Sequence, residues 1–249
     1  MTSGPAFISD AAVIGADCEI GAGAVVMDQV ILMDGVVIEP GAVIRAGTTI
    51  EAGASIGDNA VIGRAPRLAA HSRAVGRELE PTIIGAASTI CAGAIVLAGA
   101  HIGAKAIIGD QAHIRERSVI GEGTVVGRGS TVDNDVAVGA RCRIQTLVYV
   151  TAGSVVEDDV FIGPGAVLTN DNTMGRHDGS VPLVGPRLRR ACRVGGNSTI
   201  LPAVEIGEEA MVGGGAVVRD HVAARTVVAG VPARVIREVT DAELLELFR

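Results

Sequence analysis

Side chains able to exchange protons or hold an anion fall into two groups in this 249-residue chain. The first is His113, Arg115, Glu116, Asp133, Asn134, Tyr149, Thr151, Asn170 and Asp171. It combines an imidazole, which titrates near neutral pH, with carboxylates, carboxamides and hydroxyls. The second is a set of arginines in two segments: Arg64, Arg67, Arg73 and Arg77 against Glu78 and Glu80, then Arg176, Arg187, Arg189, Arg190 and Arg193 against Asp171 and Asp178. Together the segments carry +5, so the rest of a chain of net charge −7 carries −12. Guanidinium groups concentrated on segments of an acidic body suit phosphates, to which Arg offers paired hydrogen bonds. The acidic total argues against nucleic acid as a partner.

What could assemble the first group is a period of six. Aliphatic residues recur from Ile8 through Ile62, from Ile84 through Leu168 and from Val194 through Val218, in runs of ten, fifteen and five hexads with no polar residue at the marked position. Neither a helical nor a two-residue period persists. Two residues before each aliphatic stands a small side chain, usually Ala, Ser, Thr, Cys or Val, and the residue after it is often Gly, expected to supply the positive φ of a sharp corner. The pattern predicts an all-β solenoid of short strands, spanning 1–238, in which each coil supplies the backbone hydrogen bonds of the next.

Two interruptions, about 64–81 and 170–193, read as extruded loops. Provided that three hexads make a coil and that each loop leaves and re-enters at one corner, the fifteen hexads between Ile62 and Leu168 make five whole coils, so both loops leave the same corner, roughly 24 Å apart along the axis. The same edge is marked by Val96, Ile114, Val132, Val150 and Leu168, followed by Leu97, Arg115, Asp133, Thr151 and Thr169 and never by Gly. This places the first group of polar residues along one groove leading beneath the second loop, a distribution that solubility alone does not require. His101 falls on another edge and reads as structural. His177, in the second loop, is the better functional candidate, and His71 and His221 carry less weight.

Composition agrees with one elongated domain: 48 % of residues are hydrophobic but only 2 % aromatic, as a narrow aliphatic core requires. The opening Met-Thr-Ser-Gly-Pro lacks the pattern of a secretory signal. The uncharged stretch from Ile83 to Ala104 keeps the hexad register, so no membrane span is expected and the location expected is cytoplasmic. Cys18, Cys91, Cys142 and Cys192 are scattered without a CxxC pair and read as small core residues, and no metal is expected.

Repeats such as VIGADCEIGAGAVV and SVIGEGTVVGRGSTV resemble the hexapeptide acyltransferases. The resemblance implies a left-handed parallel β-helix with three hexads per coil, hence about ten coils. From Ile144 onward, RIQTLVYVTAGSVVEDDVFIGPGAVLTNDN, ACRVGGNSTILPAVEIGEEAMVGGGAVV and VVAGVPARVI are similar to nucleotide-amino-sugar N-acetyltransferases. That similarity implies a homotrimer in which acetyl-CoA and sugar meet between neighbouring prisms. Thr146 and Leu147 stand where many sugar acetyltransferases carry two asparagines, so that pair's role does not transfer. The first loop, with IGRAPR before it and PTIIG after it, resembles the acyltransferase that begins lipid A synthesis.

The implied chemistry is attack of a sugar amine on the acetyl-CoA thioester, through an oxyanion that needs a hydrogen-bond donor. Such an amine titrates near 8, so about a tenth is free base at pH 7, and supplying the rest is worth only about 1.4 kcal/mol. Positioning then carries much of the rate. On this reading His113 is a base or a hydroxyl partner and Asn134 an amine or carbonyl partner. Gln145, Tyr149, Asn170, Asp171 and His177 hold the sugar, while Arg187 and Arg189 take its pyrophosphate. Gly195, Gly196, Gly214 and Ala216 let the pantetheine approach backbone amides, with Arg234 and Arg237 near the CoA phosphates. Thr240 and Glu243 form a capping-box pattern before Leu244, Leu245 and Phe248, which predicts a short C-terminal helix over 239–249, capping the prism or packing on a neighbouring subunit.

Three rivals are a γ-type carbonic anhydrase, a lipid A-type acyltransferase using acyl carrier protein, and a structural solenoid. The first needs three convergent histidines, a motif that His101, His113 and His177 do not match.

Overall fold

The computed structural model describes residues 4–68 and 77–248. Those residues form a parallel β-solenoid with three flat faces of eleven, ten and twelve strands. Most strands are two residues long, and each pairs with the strand eighteen residues away except where a loop intervenes, as Ile114 does with Val132 and Ile120 with Val138. The hexad aliphatics point inward and are fully or almost fully buried from Val26 to Val218, stacked as columns of Ile, Val and Leu. At the first coil Ile8 and Ile14 are still 41 % and 37 % exposed.

From Ala24 onward the small residue two before each aliphatic is buried, and the hydroxyls it carries, Thr48 excepted, bond backbone carbonyls near the corners. Thr124 Oγ1 and Ser130 Oγ donate to the carbonyls of Gly139 and Gln145, each at 2.7 Å. A polar atom in the wall of an apolar prism is tolerated here because it satisfies a backbone acceptor.

Glycine after the aliphatic serves a purpose different from the one expected. Gly121, Gly127 and Gly139 do not have positive φ; a Cβ on Gly121 would lie 2.4 Å from the carbonyl carbon of Gly139 in the next coil. Close approach between coils excludes a side chain there. The positive φ falls three residues after the aliphatic instead, at Gly41, Gly47 and Gly53, but also at Asn59, Lys105 and Arg117.

The strands Val61–Arg64 and Val167–Leu168 lie on the same eleven-stranded face, called face 1, so both loops leave one corner as the count requires. Both return on the ten-stranded face 2, at Ile83–Ile84 and Arg187–Leu188. Leu188, expected inside the second loop, is a hexad in its own right: it is fully buried and pairs with Val156 and Ile206. The loop therefore ends one hexad early.

The C-terminal end departs further. Thr226–Ala229 extends the twelve-stranded face 3 in parallel, and Arg234–Glu238 returns antiparallel beside it. In place of a helix there are two 3-10 turns, Asp241–Glu243 and Leu245–Phe248. Thr240 and Glu243 do meet, the Thr240 N–H donating to Glu243 Oε2 at 2.9 Å. Rather than covering the open end, Leu245 and Phe248 line a cleft of about 760 Å³ on the flank with Arg141, Arg143, Phe161 and Arg193.

Gly121→Ala is expected to destabilise the protein by about 1–3 kcal/mol, the cost of overpacking a rigid contact. Gly4→Ala, which meets nothing within 4 Å, should leave the thermal midpoint unchanged.

Candidate functional site

The edge between faces 1 and 2 carries a lattice of ion pairs. Arg115, just after the buried Ile114, donates from Nη1 to Asp133 Oδ1 at 2.7 Å, and from Nε and Nη2 to both oxygens of Glu116 at 3.2 and 2.9 Å. Glu116 has no exposed surface, so its charge is balanced by Arg115 alone at hydrogen-bond distance, with Arg117 3.8 Å away. Arg117 grips Asp135 through two bonds of 2.7 and 2.8 Å, and Arg77 reaches in from the first loop at 3.0 Å. The Arg117 hydrogen bond, aided by Asn134 and Arg77, holds the Asp135 carboxyl down at about 2. Tyr149 donates its phenol to Asp133 Oδ2 at 2.6 Å; burial and that carboxylate push its pKa up to about 12. Tyr149 is thus a donor at neutral pH, not a base.

His113 projects from face 1 in the strand His113–Ile114, flanked by Ile95 and Thr131 on the neighbouring strands. Its ring is half-buried, and Nε2 is shielded with no hydrogen-bond partner among the described residues. Burial, then the charges of Arg115 and Arg64, depress its pKa below 6.5 against the opposing pull of Asp133 and Glu116. The other histidines with resolved contacts are used structurally: Nδ1 of His177 accepts from the Gly179 N–H at 3.0 Å and Nδ1 of His221 from the Glu205 N–H at 2.9 Å. His101 sits on face 2, as expected.

Asn134 lies beside this lattice, its Nδ2 donating to Asp135 Oδ2 at 2.7 Å and its carbonyl accepting from the Gly153 N–H. Asn170 anchors the second loop, donating to the Ala152 carbonyl and accepting from the Val184 N–H. Asp171 organises that loop: the Thr173 hydroxyl and the Gly175 and Thr173 amides hold its carboxyl at about 2, and His177 Nε2 lies 3.7 Å away. Gln145 is elsewhere, on the corner between faces 3 and 1, where its carbonyl accepts from Ser130.

The arginines sort by partner. Arg189 is tied to Glu157 and Glu205 at 2.8 and 2.9 Å, and Arg237 to both oxygens of Glu243 at 2.7 Å. Arg187 and Arg234 are exposed and have no carboxylate within ion-pair distance among the described residues. Gly195, Gly196 and Gly214 form a tight corner between faces 3 and 1, a Cβ on Gly195 meeting the Gly214 nitrogen at 2.5 Å. Ala216, expected beside the cofactor, is fully buried in the prism, because it holds the small position two residues before Val218. His71 and Arg73 lie outside the described residues.

Arg117 and Asp135 escaped the sequence reading, yet the signal was there. Arg115 with Asp133, Arg117 with Asp135, Arg141 with Asp159 and Arg190 with Glu208 all stand eighteen residues apart, one coil.

Comparison with known proteins agrees with the repeat. The family described as bacterial transferase hexapeptide (six repeats) matches residues 11–46 and 99–134, and the hexapeptide repeat of succinyl-transferase matches 191–219. This is a hexapeptide-repeat protein. It resembles solved structures over most of its length. The UDP-N-acetylglucosamine acyltransferase of Bacteroides fragilis superposes with a TM-score of 0.54 at 18 % identity, covering 95 % of this chain and 74 % of that one. The one from Campylobacter jejuni gives 0.53 at 19 %, covering 94 % and 73 %. At these identities the likeness is one of fold. Among curated proteins, a 2,3,4,5-tetrahydropyridine-2,6-dicarboxylate N-acetyltransferase of Enterococcus faecalis is 46 % identical over 61 residues, and its Staphylococcus aureus counterpart 44 % over 50. Those matches span 22 % and 20 % of this chain, and only 26 % and 21 % of the relatives' own length. No helix of the described residues is long and apolar enough to cross a membrane.

Because its folded-state pKa lies below 6.5, His113 makes the folded protein bind fewer protons than the unfolded chain as pH falls from 6.5 through that lower value, so its contribution is lost over that window. NMR titration should place the imidazole below 6.5, and Arg64→Ala should raise it.

Proposed function

We propose that this hexapeptide-repeat protein transfers an acetyl group from acetyl-CoA to the amine of a nucleotide-linked amino sugar, with His113 at the reacting end of the groove. The observation that carries the reading is the state of His113: a half-buried imidazole of lowered pKa on the loop-bearing edge, with a ring nitrogen that no hydrogen bond claims among the described residues. A buried polar atom left without a partner is costly, and a substrate that uses it accounts for the cost. Names of the local relatives, both N-acetyltransferases, support amine acetylation.

In the step proposed, the acceptor amine attacks the thioester carbonyl carbon and the C–S bond breaks. His113, turned about its Cβ–Cγ bond to face the amine, accepts the proton that nitrogen loses and returns it to the departing sulfur. Asn134, whose Nδ2 donates to Asp135, offers its carboxamide oxygen to the amine. The Arg115–Asp133–Tyr149 chain keeps the groove wall rigid. For CoA, Arg234 is the open cation and Arg237 is not, being occupied by Glu243. The glycine corner at Gly195, Gly196 and Gly214 leaves backbone within reach of a pantetheine arm.

Released thiol, measured with acetyl-CoA against UDP- and dTDP-amino sugars and against tetrahydropyridine dicarboxylate, tests the reading. His113→Ala and Asn134→Ala should each lower kcat/KM at least tenfold, about 1.4 kcal/mol, with His101→Ala less affected. Absence of thiol release with every acceptor, or full activity in folded His113 and Asn134 variants, overturns it.

The assembly proposed is a homotrimer. It is supported by apolar side chains exposed on the flanks, Ile31, Ile107 and Val119 among them, at 41, 41 and 47 %. Light scattering should give three times the chain mass of 25.2 kDa; a stable monomer at micromolar concentration counts against a site between prisms.

A further inference from the structure

The arginines that pair with carboxylates stiffen the prism; those that do not are free for a ligand. Three of the second kind, Arg45, Arg64 and Arg67, line one cavity of about 630 Å³ beside Met27 and Gly63, on the edge that carries both loops. No carboxylate lies within ion-pair distance of any of the three among the described residues. Positions 69–76, the undescribed part of the adjoining loop, contain no Asp or Glu. The one side-chain partner Arg45 has there is the Met27 thioether at 3.6 Å, a weak acceptor that leaves the guanidinium unneutralised. In a protein of net charge −7 with twenty-eight carboxylates, three converging cations with none beside them are a marked exception.

Local backbone holds the cluster in place. The strand Val61–Arg64 pairs with Ile95–Leu97 through a bulge, the Arg64 carbonyl accepting from the Ala98 N–H at 3.0 Å. Gly63 has φ +77°, and a Cβ there would strike Thr48 Oγ1 at 2.3 Å and come within 3.3 Å of Arg45 Cβ. Glycine thus brings the backbone that carries Arg64 against the root of Arg45, one coil away. Face 1 carries Arg64 on the strand two ladder steps from His113, roughly 10 Å along the axis. Arg64 is near enough for its charge to act on His113.

We infer that Arg45, Arg64 and Arg67 form the binding site for a diphosphate group of the acceptor, seated roughly 10 Å from the amine that His113 serves. Three positive charges exceed what a single carboxylate balances and suit a diphosphate, whose oxygens match paired guanidinium donors. The cavity is larger than an inorganic ion needs and lies in the range of small-molecule sites, leaving room for what the diphosphate carries. This assignment rests on the acyl-transfer reading for the acceptor's other end, and moves the phosphate from the second loop, where Arg189 is occupied, to the first.

Inorganic pyrophosphate is the probe, titrated calorimetrically into the full chain at 0.15 M salt, roughly an 8 Å screening length, with succinate as the carboxylate arm. Wild-type protein should bind pyrophosphate, Arg64→Ala at least tenfold more weakly, and Arg45→Ala/Arg64→Ala not measurably. Arg187→Ala should match wild type, and acetyl-CoA binding in the double variant serves as the check on folding. Undiminished pyrophosphate affinity in the folded double variant, tighter binding of succinate than of pyrophosphate, or no pyrophosphate binding by a protein that does transfer acetyl groups each overturns the site. Pyrophosphate bound and lost as described, with no acetyl transfer to any acceptor, supports the site and removes the acyl-transfer reading instead.

Discussion

Every feature of this protein depends on one spacing: residue i and residue i+18 lie one hydrogen-bonded strand step apart, near 4.8 Å, for almost the whole chain. That distance is short for side chains. Where two corners meet backbone to backbone it excludes even a methyl group, which is why Gly121 faces Gly139. Where a hydroxyl fits, as at Thr124 and Ser130, it bonds a corner carbonyl of the neighbouring coil. Where opposite charges fall one coil apart they form a ladder, as Arg115 does with Asp133 and Arg117 with Asp135.

The same spacing explains how much of the molecule was legible. Uninterrupted aliphatic hexads disclosed the solenoid; the family resemblance supplied three hexads to a coil, and with that number the count put both loops at one corner. The edge of non-glycine residues then marked the groove with His113, Asp133 and Tyr149. Leu188 was missed although it stands six residues before Val194: position 182 is Pro, so the hexad had no predecessor to extend. Ala216 was misplaced because small residues serve two ends here, filling the prism and thinning its corners, and only the position within the hexad tells them apart.

At the C-terminal end the period fails, and with it the inference. After Ala229 the chain turns back and pairs antiparallel, and Arg237 and Glu243 meet through a local turn rather than across a coil. An arginine's availability is likewise invisible to composition. Arg189 and Arg187 are two residues apart in one positively charged segment, yet Glu157 and Glu205 are placed to occupy Arg189 and leave Arg187 open.

The ladder also has a mechanical side. In most of the column a coil is bonded only to the coils before and after it, so no residue in the first coils is locked to any in the last. Tension applied to the two ends would detach terminal coils in turn rather than break the domain at once, each releasing about 60 Å of extended chain for eighteen residues. The two coils that carry loops would release more. The prism is therefore a ratchet of nearly equal steps, with its longer steps at the loops that flank the candidate site.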